Sequence, residues 1–213
     1  MRLRKKPKAL STLMENQHIV IFRPEDKKGK WMDFFKNTNP LYVELGTGKG
    51  KFIVENCLKY PTINFIGIDS KYDVLYMALK KALNKEVKNL ALIPFNVENI
   101  EDVFDKNEVD RLFINFCDPW PKARHAKRRL TNIRFLEKYK SFLKDEALIV
   151  FKTDNRVLFD YSIEQFKEAK LDIIDITYDL ASEEDPENIT TEYEMKFMEK
   201  GVKINRLKAV YRP

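Results

Sequence analysis

One stretch constrains this chain more than any other: Leu41-Tyr42-Val43-Glu44-Leu45-Gly46-Thr47-Gly48-Lys49-Gly50. The chain has only six glycines, and three of them stand here at alternate positions, directly after an apolar run. Leu41–Leu45 reads as a short buried strand. Residues 51–58 read as the start of a helix, with Phe52, Ile53 and Val54 at apolar positions. A glycine turn between strand and helix lets backbone approach a ligand where a side chain would clash. Glu44 strengthens that reading, because a carboxylate at the end of a buried strand demands a polar partner.

The rest of the chain alternates. Strands are expected over residues 63–69, 90–95, 111–117, 148–153, 173–178 and 203–211. Helices are expected over 72–85, 100–104, 133–143, 157–169 and 192–200, the last ended by Gly201. Val74, Leu75, Ala78, Leu79 and Leu83 share one face of the 72–85 helix. Such alternation predicts an α/β fold, a mostly parallel seven-stranded sheet with helices on both faces. A single domain is expected over 31–213, with Trp31–Phe35 as one helical turn and a partly flexible basic arm over 1–30. Ligands of open α/β sheets bind at the carboxyl ends of the strands. Glu44, Asp69, Asn96, Asp118 and Asp154 all stand at such ends.

The spacing of the turn narrows the ligand. A dinucleotide fingerprint needs glycine or alanine where Lys51 stands. An acid two positions before Gly46-x-Gly48-x-Gly50 instead resembles the pattern of Rossmann-like S-adenosylmethionine-dependent methyltransferases. That cofactor has no pyrophosphate, but it carries a cationic sulfonium and an ammonium, which favour nearby carboxylates. Asp69, about 20 residues past the turn, is placed to accept both ribose hydroxyls. The Asn96 amide has a donor and an acceptor for the adenine edge. Glu44 falls at the methionine end, and Asp118 where methyl donor and substrate meet.

Charge points to a polyanion. Net charge is +6 and the sequence pI is about 9.1. Residues 1–8 carry Arg2, Arg4, Lys5, Lys6 and Lys8 without an acid; residues 122–129 carry Lys122, Arg124, His125, Lys127, Arg128 and Arg129. Both runs are dense enough to bind phosphates. The two cysteines, Cys57 and Cys117, read as reduced core residues, and His18 and His125 give no metal constellation. No apolar run approaches the roughly 20 residues of a membrane span. A cytoplasmic protein without a metal is expected, either a monomer or a homodimer.

Asn115-Phe116-Cys117-Asp118-Pro119-Trp120-Pro121-Lys122, with Arg124-His125-Ala126-Lys127-Arg128-Arg129-Leu130 after it, resembles the signature of the bacterial tRNA (guanine-N7)-methyltransferases of the TrmB type. The likeness extends to Phe151-Lys152-Thr153-Asp154-Asn155 and to Thr191-Glu192-Tyr193-Glu194 with Phe197. Cys117, Ala123 and Ala126 depart from the pattern, the last two thinning the basic patch. The resemblance implies methylation of N7 of guanosine-46 in the tRNA variable loop. It assigns the cofactor to Glu44, Gly46, Gly48, Asp69, Asn96 and Asp118, and catalysis to Asp118. Substrate contact falls to Lys122, Asp154, Thr191, Glu192, Tyr193 and Glu194, and RNA binding to Arg124, His125, Ala126, Lys127, Arg128 and Arg129.

The residue types suit that chemistry. Guanine N7 has a lone pair and no proton, so the protein must supply alignment rather than a base. Carboxylates at Asp118, Asp154, Glu192 and Glu194 would accept the guanine N1–H and N2–H₂ donors and offset the charge of the product. Trp120 serves as a core anchor or packs on cofactor or base; Tyr193 stacks on the base or packs its own helix. The residues alone leave open an exocyclic-amino methyltransferase and a non-catalytic RNA-binding protein, while Lys51 argues against a nicotinamide oxidoreductase.

Overall fold

Near-continuous runs of Val, Ile, Leu and Phe are what parallel strands buried on both faces require, and the chain places them so. The computed structural model describes residues 8–183, 185 and 187–213. It divides into two compact units, Met1–Phe104 and Asp105–Pro213.

In the first unit, β1 (Leu41–Leu45), β2 (Asn64–Asp69) and β3 (Leu90–Pro94) pair in parallel in the order β3-β2-β1. α3 (Lys51–Lys59) and α4 (Tyr72–Asn84) contribute Ile53, Val54, Leu75, Ala78 and Leu79 to a core shared with Phe65 and Leu92. α2 (Trp31–Phe35) is docked by Trp31, whose indole N–H donates to the Val103 carbonyl at 3.0 Å while its ring meets Phe34, Phe35 and Phe104. The helix expected over 100–104 is instead a 3₁₀ turn, Val97–Asp102, capped by Asn96.

Part of the expected arm is docked on this unit. α1 (Ala9–Glu15) buries Ala9 and Leu13, and Leu13 joins the core beside α4. Val20 then bridges Leu92, with Ile21 N donating to Leu92 O at 2.9 Å and Leu92 N to Ile19 O at 2.8 Å. A helix of seven residues and one bridge are too short to show a hydrophobic period. Of the basic N-terminal run, Arg2, Arg4, Lys5 and Lys6 lie outside the described residues.

The second unit holds β4 (Val109–Asn115), β5 (Leu143–Thr153), β6 (Asp172–Thr177) and β7 (Asn205–Val210), in the order β4-β5-β7-β6. β4 and β5 are parallel; β7 runs antiparallel to both its neighbours. β5 starts five residues before the expected strand, at Leu143. Its first turn of chain, Lys144-Asp145-Glu146, crosses a register shift opposite Val109 and Arg111, and Glu146 has φ 62°. α5 (Ile133–Lys140) and α6 (Arg156–Glu168) begin where Asn132 and Asn155 cap them, accepting from Arg134 N and Leu158 N. Tyr139, Phe142, Phe151, Phe159 and Phe166 form the aromatic part of this core. α7 (Glu192–Met198) precedes β7.

Two glycines of the turn after β1 differ in why they are glycine. Gly50 has φ 79°, and a Cβ there would lie 2.5 Å from Ala78 Cβ and 2.7 Å from Ala78 Cα, so α4 rests on bare backbone. Gly46 has φ 75° but a Cβ there would meet nothing within 4 Å. Gly50→Ala is therefore expected to cost roughly 2–4 kcal/mol, adding overpacking to the left-handed backbone penalty. Gly46→Ala should cost only the latter, about 1–2 kcal/mol. Urea denaturation measures both; equal losses would show that α4 does not bear on Gly50.

Candidate active site

The turn after β1 is fixed by acceptors on β2. Gly46 N and Thr47 N both donate to the Ile68 carbonyl, at 2.8 and 3.0 Å. Gly48 N donates to Asp69 Oδ2 at 3.2 Å, and Lys71 N to Asp69 Oδ1 at 3.0 Å. The buried Glu44 carboxylate accepts from Thr47 Oγ1 at 2.6 Å, the polar partner its position demanded. Above Gly46 the space is open, and above Gly48 a Cβ would meet only Gly46 O at 3.8 Å. Asn96, exposed at the end of β3, accepts from Glu98 N at 3.1 Å. Glu44, Gly46, Gly48, Asp69 and Asn96 thus line up at the carboxyl ends of β1, β2 and β3 in one unit. An open glycine cradle with fixed carboxylates beside it fits a ligand that has cationic groups and hydroxyls.

Asp118 lies in the other unit, on the turn after β4. Phe116 has φ 50° and Trp120 φ 42°, so left-handed backbone flanks Asp118 on both sides. Phe116 N donates to the Lys152 carbonyl at 2.9 Å. Asp118 is exposed, and its carboxylate takes no hydrogen bond or ion pair from the described residues. The neighbouring Cys117 thiol is pushed up to about 12, by burial first and by the charge of Asp118 second, so a neutral thiol accompanies that carboxylate.

The basic run folds back over this turn as a 3₁₀ helix, Ala123–Arg128. Lys122, Arg124, Lys127 and Arg128 are exposed, and His125 and Ala126 are half-buried. Arg128 lies over the Trp120 ring at 5.0 Å, and His125 meets the same ring edge-on at 5.7 Å. Arg129 departs from its expected part as an RNA contact. It is buried at 7% exposure, donates from Nε to Pro119 O and from Nη2 to Trp120 O, each at 3.0 Å, and covers the Tyr161 ring at 4.3 Å.

The expected substrate residues divide the same way. Asp154 is half-buried between β5 and α6, its carboxylate free of hydrogen bonds from the described residues. Glu192 is half-buried and Tyr193 is 56% exposed. Glu194, expected to face the base, is instead 1% exposed. It accepts from Lys152 Nζ at 2.8 Å, Asn188 Nδ2 at 2.9 Å and Thr191 N at 3.2 Å. Thr191 Oγ1 in turn accepts from Glu194 N at 2.9 Å, closing a capping box on α7. Lys152 also donates to Asn188 Oδ1 and Ile189 O, at 3.0 and 3.2 Å. Phe116 stacks with both Tyr193 and Phe197, with ring centroids 6.1 and 6.3 Å away, so α7 packs on the start of the Asp118 turn. Sequence reasoning missed Lys152 as the ion that holds Glu194; the signal in the residues was a lysine inside an otherwise apolar strand.

Residues 38–207 match the profile of the family described as "Putative methyltransferase". A tRNA (guanine-N(7)-)-methyltransferase of Clostridium kluyveri is 50% identical over 203 residues, 95% of this chain and 96% of that protein. One of Bacillus licheniformis is 47% identical over 212 residues, spanning 100% of both chains. This chain belongs to the tRNA (guanine-N(7)-)-methyltransferase family. Among solved structures, an antibiotic-related methyltransferase aligns with TM-score 0.62 at 16% identity, covering 87% of this chain and 94% of that one. The 16S rRNA methyltransferase KamB aligns with TM-score 0.63 at 12% identity, with the same coverage. These two likenesses show the fold, that of the Rossmann-like methyltransferases with a mostly parallel seven-stranded sheet.

The family member's buried ion pair gives a stability test. Lys152→Met leaves Glu194 charged and buried, which is expected to cost about 3–5 kcal/mol. Removing both charges in Lys152→Met with Glu194→Leu should recover a large part of that loss. Urea unfolding of the three proteins measures it, and a single variant within about 1 kcal/mol of the parent would show that Glu194 does not depend on Lys152.

Proposed function

We propose that this protein transfers the methyl group of S-adenosyl-L-methionine to N7 of a guanosine in tRNA, guanosine-46 of the variable loop. The observation that carries the reading is the partition of the carboxylates. Glu44 and Asp69 are fixed beside an open glycine cradle, whereas Asp118 and Asp154 stand at strand ends without a hydrogen-bond partner among the described residues. Relatives near half identity are named tRNA (guanine-N(7)-)-methyltransferase, which supports guanine N7 in tRNA as the target.

Glu44, Gly46, Gly48, Asp69, Asn96 and Asp118 would hold the cofactor. When bound, it supplies an electrophilic methyl group on a sulfonium. Asp69 keeps acceptor capacity for ribose hydroxyls after taking its two backbone donors, since a carboxylate has about four lone-pair sites. The guanine N7 lone pair needs no deprotonation, so the work of the protein is alignment and charge. Asp118, Asp154 and Glu192 accept the N1–H and N2–H₂ donors, which selects guanine over adenine. Glu194 acts by holding Thr191 and α7 rather than by touching the base. Lys122, Arg124, Lys127 and Arg128 meet tRNA phosphates. Residues 31–213 serve as one methyltransferase domain, active in the cytoplasm as a monomer or homodimer. Among the described residues no helix is long and apolar enough to cross a membrane, and no group of His, Cys, Asp or Glu is placed to hold a metal ion.

The test is nucleoside mass spectrometry of tRNA incubated with protein and methyl donor, with the methyl mapped on nuclease fragments. N7-methylguanosine at the variable-loop guanosine is expected. A tRNA with 7-deazaguanosine there should bind about as well, accept no methyl and inhibit competitively, because it keeps N1–H, N2–H₂ and O6. Inosine, which keeps N7 and loses the amino group, should be methylated at higher KM. Methylation of the deaza tRNA with none of the inosine tRNA would overturn N7 and select the exocyclic amino group.

A further inference from the structure

We infer that Arg129 is a positioning residue for the reaction: its buried guanidinium sets the shape of the turn that presents Asp118. The inference rests on the reading that Asp118 serves methyl transfer. Four cations of the run 122–129 are exposed; Arg129 is buried. Among the described residues it has no carboxylate partner. Its charge is met by the carbonyls of Pro119 and Trp120, the two residues that follow Asp118, and by the Tyr161 ring face. That is an expensive use of a cation unless the shape of the turn repays it.

The turn needs such a hold. Trp120 sits at φ 42°, a conformation that a residue with a Cβ keeps only where its surroundings impose it. Pro119 and Pro121 restrict the backbone on either side but do not fix the orientation of the peptides between them. One planar fork bonded to consecutive carbonyls does fix it. The far side of that fork is held as well, because the Tyr161 hydroxyl is engaged by Asn132 Nδ2 and Gln165 Oε1. Lysine has the same charge without the fork, so the Arg129→Lys variant separates charge from geometry.

The experiment compares wild-type protein with Arg129→Lys, Arg129→Ala and Arg128→Gln, measuring kcat and KM for tRNA, thermal unfolding, and tRNA binding across a salt series. Arg129→Lys is expected to unfold cooperatively and to lose about 10- to 100-fold in kcat, the scale of a misplaced reacting group. Its KM for tRNA should stay within about twofold, and its log–log salt slope should match wild type, since no phosphate contact is lost. Arg128→Gln should lower that slope by up to about 0.7–0.9. If Arg129→Ala does not fold, Arg129→Lys carries the decision. Wild-type kcat in Arg129→Lys, or a slope lowered as in Arg128→Gln, overturns the inference. Wild-type protein that makes no N7-methylguanosine overturns the methyl-transfer reading and this inference with it, a failure visible before any variant is compared.

Discussion

The Asp69 carboxylate accepts from two backbone N–H groups at once, Gly48 on one side and Lys71 on the other. Three left-handed glycines within five residues would otherwise be a costly, mobile loop. Charge-assisted bonds to backbone, together with Ile68 O, hold it in one form. Much of the first unit follows from that. α3 starts directly after Gly50, and α4 lies against the bare backbone of Gly50 through Ala78. The same carboxylate stands beside the open cradle, already oriented, so a ligand that meets it finds no reorganisation to pay for.

The second unit solves the equivalent problem with the opposite sign. There the loops after the strands turn carbonyls inward, and buried cations meet them. Lys152 takes Ile189 O along with Glu194, and Arg129 takes Pro119 O and Trp120 O. With those cations committed inside, they do not neutralise Asp118 and Asp154, whose charges stay available at the strand ends. The exposed members of the basic run keep their positive charge in solvent, where salt screens it.

What was legible in the sequence follows from local pattern. The glycine turn, α4 and the central strands announce themselves by spacing and apolar runs. The start of β5 does not, because Lys144, Asp145 and Glu146 carry no alternation and a bulge breaks the register. α1 and the bridge at Val20 were hidden for want of length. Within the site, residue type identified candidates but not their direction. Arg128 and Arg129 are adjacent and chemically alike, yet one lies exposed on Trp120 and the other is buried under the turn. Glu194 reads as one of two acids on α7, and its direction inward shows only in the fold, where it is buried against Lys152.

The place of β7 bears on how the second unit assembles. Its strand is made after both neighbours, yet it must end between them, with β5 on one edge and β6 on the other. Until that segment is available, β5 and β6 each present an unsatisfied edge, and edges of this kind recruit whatever strand is near. Of the two ladders that β7 makes, the one to β5 reaches further along the chain, from Leu148 to Val210, and contacts of that separation slow folding. A growing chain is most exposed to mispairing in that interval, and Asp175 of β6, which Arg206 of β7 pairs at 2.8 Å, is a charge that a wrong strand would leave unmatched.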